Sequence, residues 1–207
     1  MDMALRRALY RLITAAVFLL PPVTTRATTL PPIRLSQLFH DADIVALVQV
    51  TSGETIGAGD ESCGAKYQVR VIEAFKGASK GATIEFGNYF GYAIGNRYII
   101  FLVGPGRSHE PMMSTNSMQL DARTEYEKRC GPLLRRNTVM HSGNGALHIH
   151  WVTDFGYKDG VAVPTRYVVL PDGLSTIPTK ISETNEFSGE VWVRLPQMTE
   201  ILKGLGE

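Results

Sequence analysis

The sequence is short of most features that announce a function. Only two of its 207 residues are cysteine, which leaves room for a single disulfide. It has no excess of charge of one sign. A formal net of +1 gives no reason to expect nucleic acid as a partner. It has no apolar run long enough to span a bilayer comfortably. No internal repeat and no low-complexity tract interrupts it. A nucleophile elbow, a paired-carboxylate arrangement and a helical metal motif are all missing, which argues against the commonest hydrolytic chemistries. GNYFGYAIGNR, residues 87–97, carries glycines without phosphate-loop spacing and reads as a turn.

What is present begins with an export pattern. Arg6, Arg7 and Arg11 precede LITAAVFLL, residues 12–20, and Pro21 and Pro22 end any helix there. Small side chains at Thr25 and Ala27 follow. A basic start, a short apolar middle and a small-residue exit describe a secretory signal peptide over residues 1–27, with cleavage after Ala27. A retained signal anchor is the alternative. The absence of cysteine at the exit argues against a lipid anchor. Removal of residues 1–27 takes four of the 21 basic residues and one of the 20 acidic ones, leaving 17 against 19 and a formal net of −2. The expected location is therefore exported, periplasmic or secreted, with no membrane attachment after cleavage. In an oxidising compartment Cys63 and Cys130 are expected to pair. In the chain-entropy model, closing a loop of 67 positions stabilises the fold by about 4 kcal/mol.

The remainder, residues 28–207, has the hydrophobic (44%) and charged (20%) content of a folded domain. LSQLFHDAD, residues 35–43, reads as a short helix with Ser36 as its N-cap. IVALVQV (44–50) is a buried strand, and TSGETIGAGDESCG (51–64) a polar loop. CGAKYQVRVIEAFKG then alternates and loses step. Tyr67, Val69 and Val71 share one face, and Ile72 and Ala74 share the other. A β-bulge produces such a phase change, and small closed barrels use one to bend a long strand around the sheet. ATIEFGN (82–88), with Ile84 and Phe86 inward, and RYIIFLV (97–103) supply two more strands. DARTEYEKRCG reads as a short helix. ALHIHWV, VAVPTRYVVL and GEVWVRL are strand candidates, with Pro164 expected at an edge or outside the sheet. LPQMTEILKGLGE closes the chain as an amphipathic helix with Met198, Ile201 and Leu202 inward and Gly204 as its stop. The expected fold is mainly β: an OB-type five-stranded Greek-key barrel with a short N-terminal and a C-terminal helix. Residues 104–207 are expected to complete the barrel and add a peripheral β-hairpin.

LSQLFHDADIVALVQVTSGE, KYQVRVIEAFKG and IGNRYIIFLV together resemble the netrin-like domain of tissue inhibitors of metalloproteinases, and small exported bacterial proteins of the same pattern. The shared features are a helix ending in a DAD-like step, a strand, a long strand ending in F-K-G, and a strand preceded by G-x-x-Y. The resemblance covers residues 35–103. It implies an OB-type barrel in an exported protein and transfers an inhibitory role to no residue.

Three constellations carry chemistry. His148 and His150 are two apart, so a strand puts both on one face within reach of one metal ion. His141, or soft sulfur from Met112, Met113, Met118 or Met140, extends this to a copper or zinc site. The competing reading places the two histidines on the solvated face of an edge strand, with Ile149 and Trp151 buried opposite. Tyr89, Phe90, Tyr92 and Tyr98 form either a patch for stacking a ligand or a cap on a barrel end. Arg129, Arg135 and Arg136 make a basic turn, which reads as solvated or as a seat for a small anion. Ser142, His150 and Asp154 form a triad on paper only, since triads are recognised by geometry. The reading favoured is a non-enzymatic exported binding or structural module acting on an unknown protein or cell-envelope ligand. A periplasmic copper or zinc protein using His148 and His150 is its alternative. Intact mass and N-terminal sequencing of the exported protein are expected to place the first residue at Thr28. A chain still starting at Met1 in the envelope would show a retained anchor instead.

Overall fold

A computed structural model of the chain describes residues 31–58, 61–87, 91–105, 107, 125, 128–134, 136–156, 158–178 and 189–207. The signal segment, Tyr89, Phe90, Arg135 and Met112, Met113 and Met118 lie outside the described residues, as does most of the helix expected from 121. Residues 128–130 of that helix are helical.

The fold is mainly β. Its elements run β1 (Ile33–Arg34), α1 (Leu35–Asp41), β2 (Ile44–Ala58), β3 (Glu61–Lys76), β4 (Thr83–Gly87), β5 (Arg97–Val103), β6 (Asn137–Val139), β7 (Ala146–Val152), β8 (Lys158–Pro164), β9 (Val168–Val169), β10 (Thr176–Pro178), β11 (Glu190–Arg194) and α2 (Leu195–Gly206). Strands β1 and β9 pair in parallel; the other nine form one ladder in the order β10-β11-β8-β7-β5-β2-β3-β4-β6. The far end of that ladder returns on itself. β6 pairs in parallel with β4 and antiparallel with β5, so β2, β3, β4, β6 and β5 form a ring of pairings.

β2 and β3 are longer than expected. Of the expected loop, residues 51–58 and 61–64 are instead the far half of a hairpin whose ladder runs to Ala58↔Glu61. Backbone pairing overrides a composition poor in strand formers. Gly53 sits directly opposite Tyr67, where a Cβ would lie 2.9 Å from the ring, so the glycine makes room for it. Thr51 Oγ1 donates to the Gln68 carbonyl (3.0 Å), and Lys66 pairs with Glu54.

The phase change in β3 is a bulge at the expected place. Leu47 pairs with Glu73 and Val48 with Val71, which leaves Ile72 as the extra residue. Before it, Tyr67, Val69 and Val71 face the ring interior; after it, Ala74 packs against that same interior while Ile72 and Phe75 pack against a second core. Ile72 and Ala74 therefore part company, because Ile72 is itself the bulged residue; a further irregularity leaves Phe75 unpaired between Ala74 and Lys76. Cys63 is likewise the extra residue between Gly64 and Ser62, and it is disulfide-bonded to Cys130 with their Cα atoms 5.3 Å apart. The bridge ties the outer half of the hairpin to the segment that leads into β6.

There are two cores, and β2 and β5 are the wall between them. One face of that wall (Ala46, Val48, Val50, Tyr98, Ile100, Leu102) closes over Val69, Ile84, Phe86 and Val139 inside the ring. The other (Val45, Leu47, Ile99, Phe101) meets α1, α2 and β7, β8 and β11. Burial on both faces explains why these strands read as unbroken apolar runs. The expected peripheral hairpin is thus a four-stranded extension, β7-β8-β11-β10, continuous with β5 and carrying its own core. Met198 and Leu202 of α2 are fully buried there and Ile201 partly so, each full burial stabilising by about 1.5–3 kcal/mol.

Two local expectations are corrected. Ser36 is not the N-cap: pairing of Ile33 and Arg34 with β9 holds the chain extended to Arg34, which caps α1 without a side-chain bond. Gly204 does not stop α2, which runs to Gly206 with Leu205 against the second core. Pro164 lies where it is expected: β8 pairs with β7 only as far as Val161, so Pro164, its final residue, is flanked on one side alone, by Glu190 of β11.

The DAD and F-K-G steps turn out to be one joint. Lys76 Nζ donates to the Phe39 (3.1 Å) and His40 (2.6 Å) carbonyls, satisfying the C-terminus of α1. Asp43 Oδ2 accepts from the Gly104 amide (2.7 Å), and Oδ1 from Arg107. Gly77 has φ +64°, and a Cβ there would overlap the Asp43 carbonyl oxygen. Gly77→Ala is therefore expected to cost about 3 kcal/mol or more, from left-handed backbone plus displacement of β2's entry. Gly81→Ala, at φ +84° with open space around it, is expected to cost about 1–2 kcal/mol. Urea midpoints test the difference; equal losses would sink the joint. Non-reducing peptide mapping is expected to recover a Cys63–Cys130 peptide pair, and two free thiols would refute the bridge.

Candidate functional site

The described aromatic residues of the expected patch are not a surface platform. Tyr92 lies edge-on to Tyr67 (5.1 Å between centroids), Phe86 (5.1 Å) and Tyr98 (5.4 Å), while Tyr67 stacks on Phe86 at 5.5 Å. Tyr98 is buried and Tyr92 half-buried. These rings fill the ring interior, and Tyr92 and Tyr98 pack among them. Their hydrophobic area and edge-to-face geometry stabilise the fold.

The cluster does not stop at Tyr98. β7 pairs with β5 so that His148 falls opposite Tyr98, and their rings stack at 4.7 Å with an interplanar angle of 20°. His148 in turn meets His150, the centroids 3.9 Å apart. A continuous file of rings therefore runs from Phe86 inside the ring to His150 at the surface. Strand periodicity puts the two histidines on one face, and β5 supplies the aromatic floor.

His148 is half-buried, and its Nε2 lies 2.9 Å from the Asn96 side-chain amide. Burial, and then the neighbouring His150 charge, push its pKa down from 6.5 to about 4. His150 is exposed. Opposite it, β8 presents Gly160, where a Cβ would meet Val152 Cγ2 at 2.5 Å, so no side chain flanks His150 from that position.

β7 is not an edge strand, since β5 and β8 pair on its two sides. Ile149 is buried as expected, but Trp151 is 66% exposed. The second core ends at the Ile149↔Val161 pair, and Trp151, opposite Asp159, projects past it.

His141 is not with the other two histidines. It begins a one-turn 3₁₀ segment, His141–Gly143, where the chain leaves β5 between β6 and β7, and its ring packs against Tyr167 at 6.1 Å. Its φ of +54° is a left-handed conformation that costs a non-glycine residue about 1–2 kcal/mol. Its buried Nε2 has no hydrogen-bond partner among the described residues. Met140 packs against the second core. Among the described residues, no three His, Cys, Asp or Glu side chains form a group able to hold a metal ion. The basic turn is likewise spoken for: Arg136 pairs with Glu85 at 3.0 Å and Arg129 approaches Glu125 at 4.0 Å. Asp154 sits in the 3₁₀ turn after β7.

Asn96, Gly160 and the exposure of Trp151 escape sequence reading. Each depends on which strand lies beside β7, and no local pattern encodes that. No family model, no curated protein and no solved structure matches this chain.

The depressed His148 pKa has a signed consequence. Between pH 6.5 and 4 the unfolded chain binds a proton at this site that the folded chain does not. Stability therefore falls as pH drops from about 6.5 to about 4 and levels off below. His148→Gln is expected to flatten that part of the profile. Urea midpoints at pH 7 and pH 4.5, with a chelator present, test this; identical slopes for variant and parent would remove His148 as the cause.

Proposed function

We infer that the chain is an exported, non-enzymatic binding or structural module on an OB-type five-stranded Greek-key barrel, with a protein or another cell-envelope component as its ligand. The observation that carries this reading is the return of the ladder through β6: β2-β3-β4-β6-β5, with β4 and β6 parallel, is the strand order such a barrel requires. The bulge at Ile72 supports it, because a strand that bends is what a closed sheet of this size needs. Export is supported by the basic-apolar-small N-terminal pattern and by the Cys63–Cys130 bridge. Among the described residues no helix is long and apolar enough to cross a membrane.

Backbone NOEs between Phe86–Gly87 and Asn137–Thr138 are expected in the exported protein, and their absence would open the ring. A broad serine-reactive probe is expected to leave the protein unlabelled. Labelling abolished by Ser142→Ala would overturn the non-enzymatic reading.

A further inference from the structure

The file of rings ends in two imidazoles placed very differently. His148 is fixed from two directions, by the Tyr98 face at 4.7 Å and by the Asn96 amide 2.9 Å from Nε2. His150 is exposed, 3.9 Å away centroid to centroid, and faces Gly160 across the ladder. One arm is held and the other is free to turn toward it.

Two imidazoles side by side are a chelate for borderline metal ions, and their affinity for divalent first-row ions rises toward copper. Nδ1 of His148 is the nitrogen not engaged by Asn96. Coordination through Nδ1 puts the ring proton on Nε2, which donates to the Asn96 amide oxygen once that amide is turned. A ligand histidine oriented by a hydrogen bond on its other nitrogen is the usual way such a ring is held. His141, against Tyr167, is not part of this pair, so the site is open rather than closed, with water completing the coordination. We propose that His148 and His150 are the two protein ligands of an open surface site for a divalent late first-row metal ion, with Cu²⁺ preferred over Zn²⁺ and Asn96 as the residue that orients His148. This proposal stands independently of the barrel reading.

The site's surroundings supply a readout. Tyr98 stacks on one ligand and Trp151 follows the other in the chain, so bound Cu²⁺ quenches their emission. The test is titration of the exported, processed protein at neutral pH with Cu²⁺ supplied as its glycine complex, followed by emission and by electron paramagnetic resonance. Saturable 1:1 quenching is expected, with nitrogen hyperfine structure from two imidazoles and weaker competition by Zn²⁺. His148→Ala/His150→Ala is expected to weaken binding at least tenfold. His150→Ala alone alters only an exposed ring and is expected to lose several-fold, which keeps the proposal testable if the double variant misfolds. His40→Ala, on an exposed residue of α1, is expected to bind as the parent does. Asn96→Ala is expected to weaken binding while leaving two imidazole nitrogens in the spectrum. Binding by the double variant within twofold of the parent, or an equal loss in His40→Ala, would overturn the site.

Discussion

The structure depends on a wall with two dry faces. A strand offers only two faces, and β2 and β5 bury both, one into the ring and one against the helices. The two cores are not independent, because both use the same two strands. The neighbouring β3 must contribute to both as well. It does so by losing phase at Ile72, which leaves Val71 and Ala74 facing inward on opposite parities and sends Ile72 and Phe75 outward. The bulge is therefore a requirement of the shared wall and not an irregularity laid over it.

The same requirement governs how α1 is seated. The helix covers the outer face of the wall, and its C-terminal carbonyls arrive where β3 ends. Lys76 meets them, and its ammonium lies 5.7 Å from the Phe39 ring centre. Gly77 lets the chain turn away beneath Asp43, and Asp43 holds the exit of β5 through Gly104. Two motifs separated by residues 44–74 become one contact, and that contact locks the start of β2 against the ends of β3 and β5. The histidine pair inherits its geometry from the wall too. β5 is paired by β2 along one edge and, along the other, first by β7 and then by β6, with the 3₁₀ turn at His141 between them. This division puts Tyr98 under His148 and leaves β7 free to run on alongside β8.

Much of this was legible in the residues. IVALVQV and RYIIFLV are apolar at every other position and in between, as two-sided burial demands. Ile84 and Phe86 alternate inward, and Met198 and Leu202 mark the buried stripe of α2. The step in CGAKYQVRVIEAFKG located the bulge. Other features were illegible for a physical reason. Residues 51–58 and 61–64 look like loop because their glycines and charges weaken local strand preference, yet the hairpin ladder decides their state. Trp151 looks buried by alternation, yet burial depends on how far the opposing core extends.

Periodicity, turn chemistry and the pairing of two cysteines in an export-type chain are properties of neighbouring residues, and the sequence by itself determined them: a mainly β chain, a bent strand, a terminal amphipathic helix and His148 beside His150 on one face. Only the tertiary structure decided that the ladder returns through β6, that β7 is flanked on both sides, that His141 lies against Tyr167, and that Tyr98 and Asn96 hold His148. Those outcomes rest on contacts between residues tens of positions apart, where many registers satisfy the local pattern equally and only the packing of the whole molecule selects one.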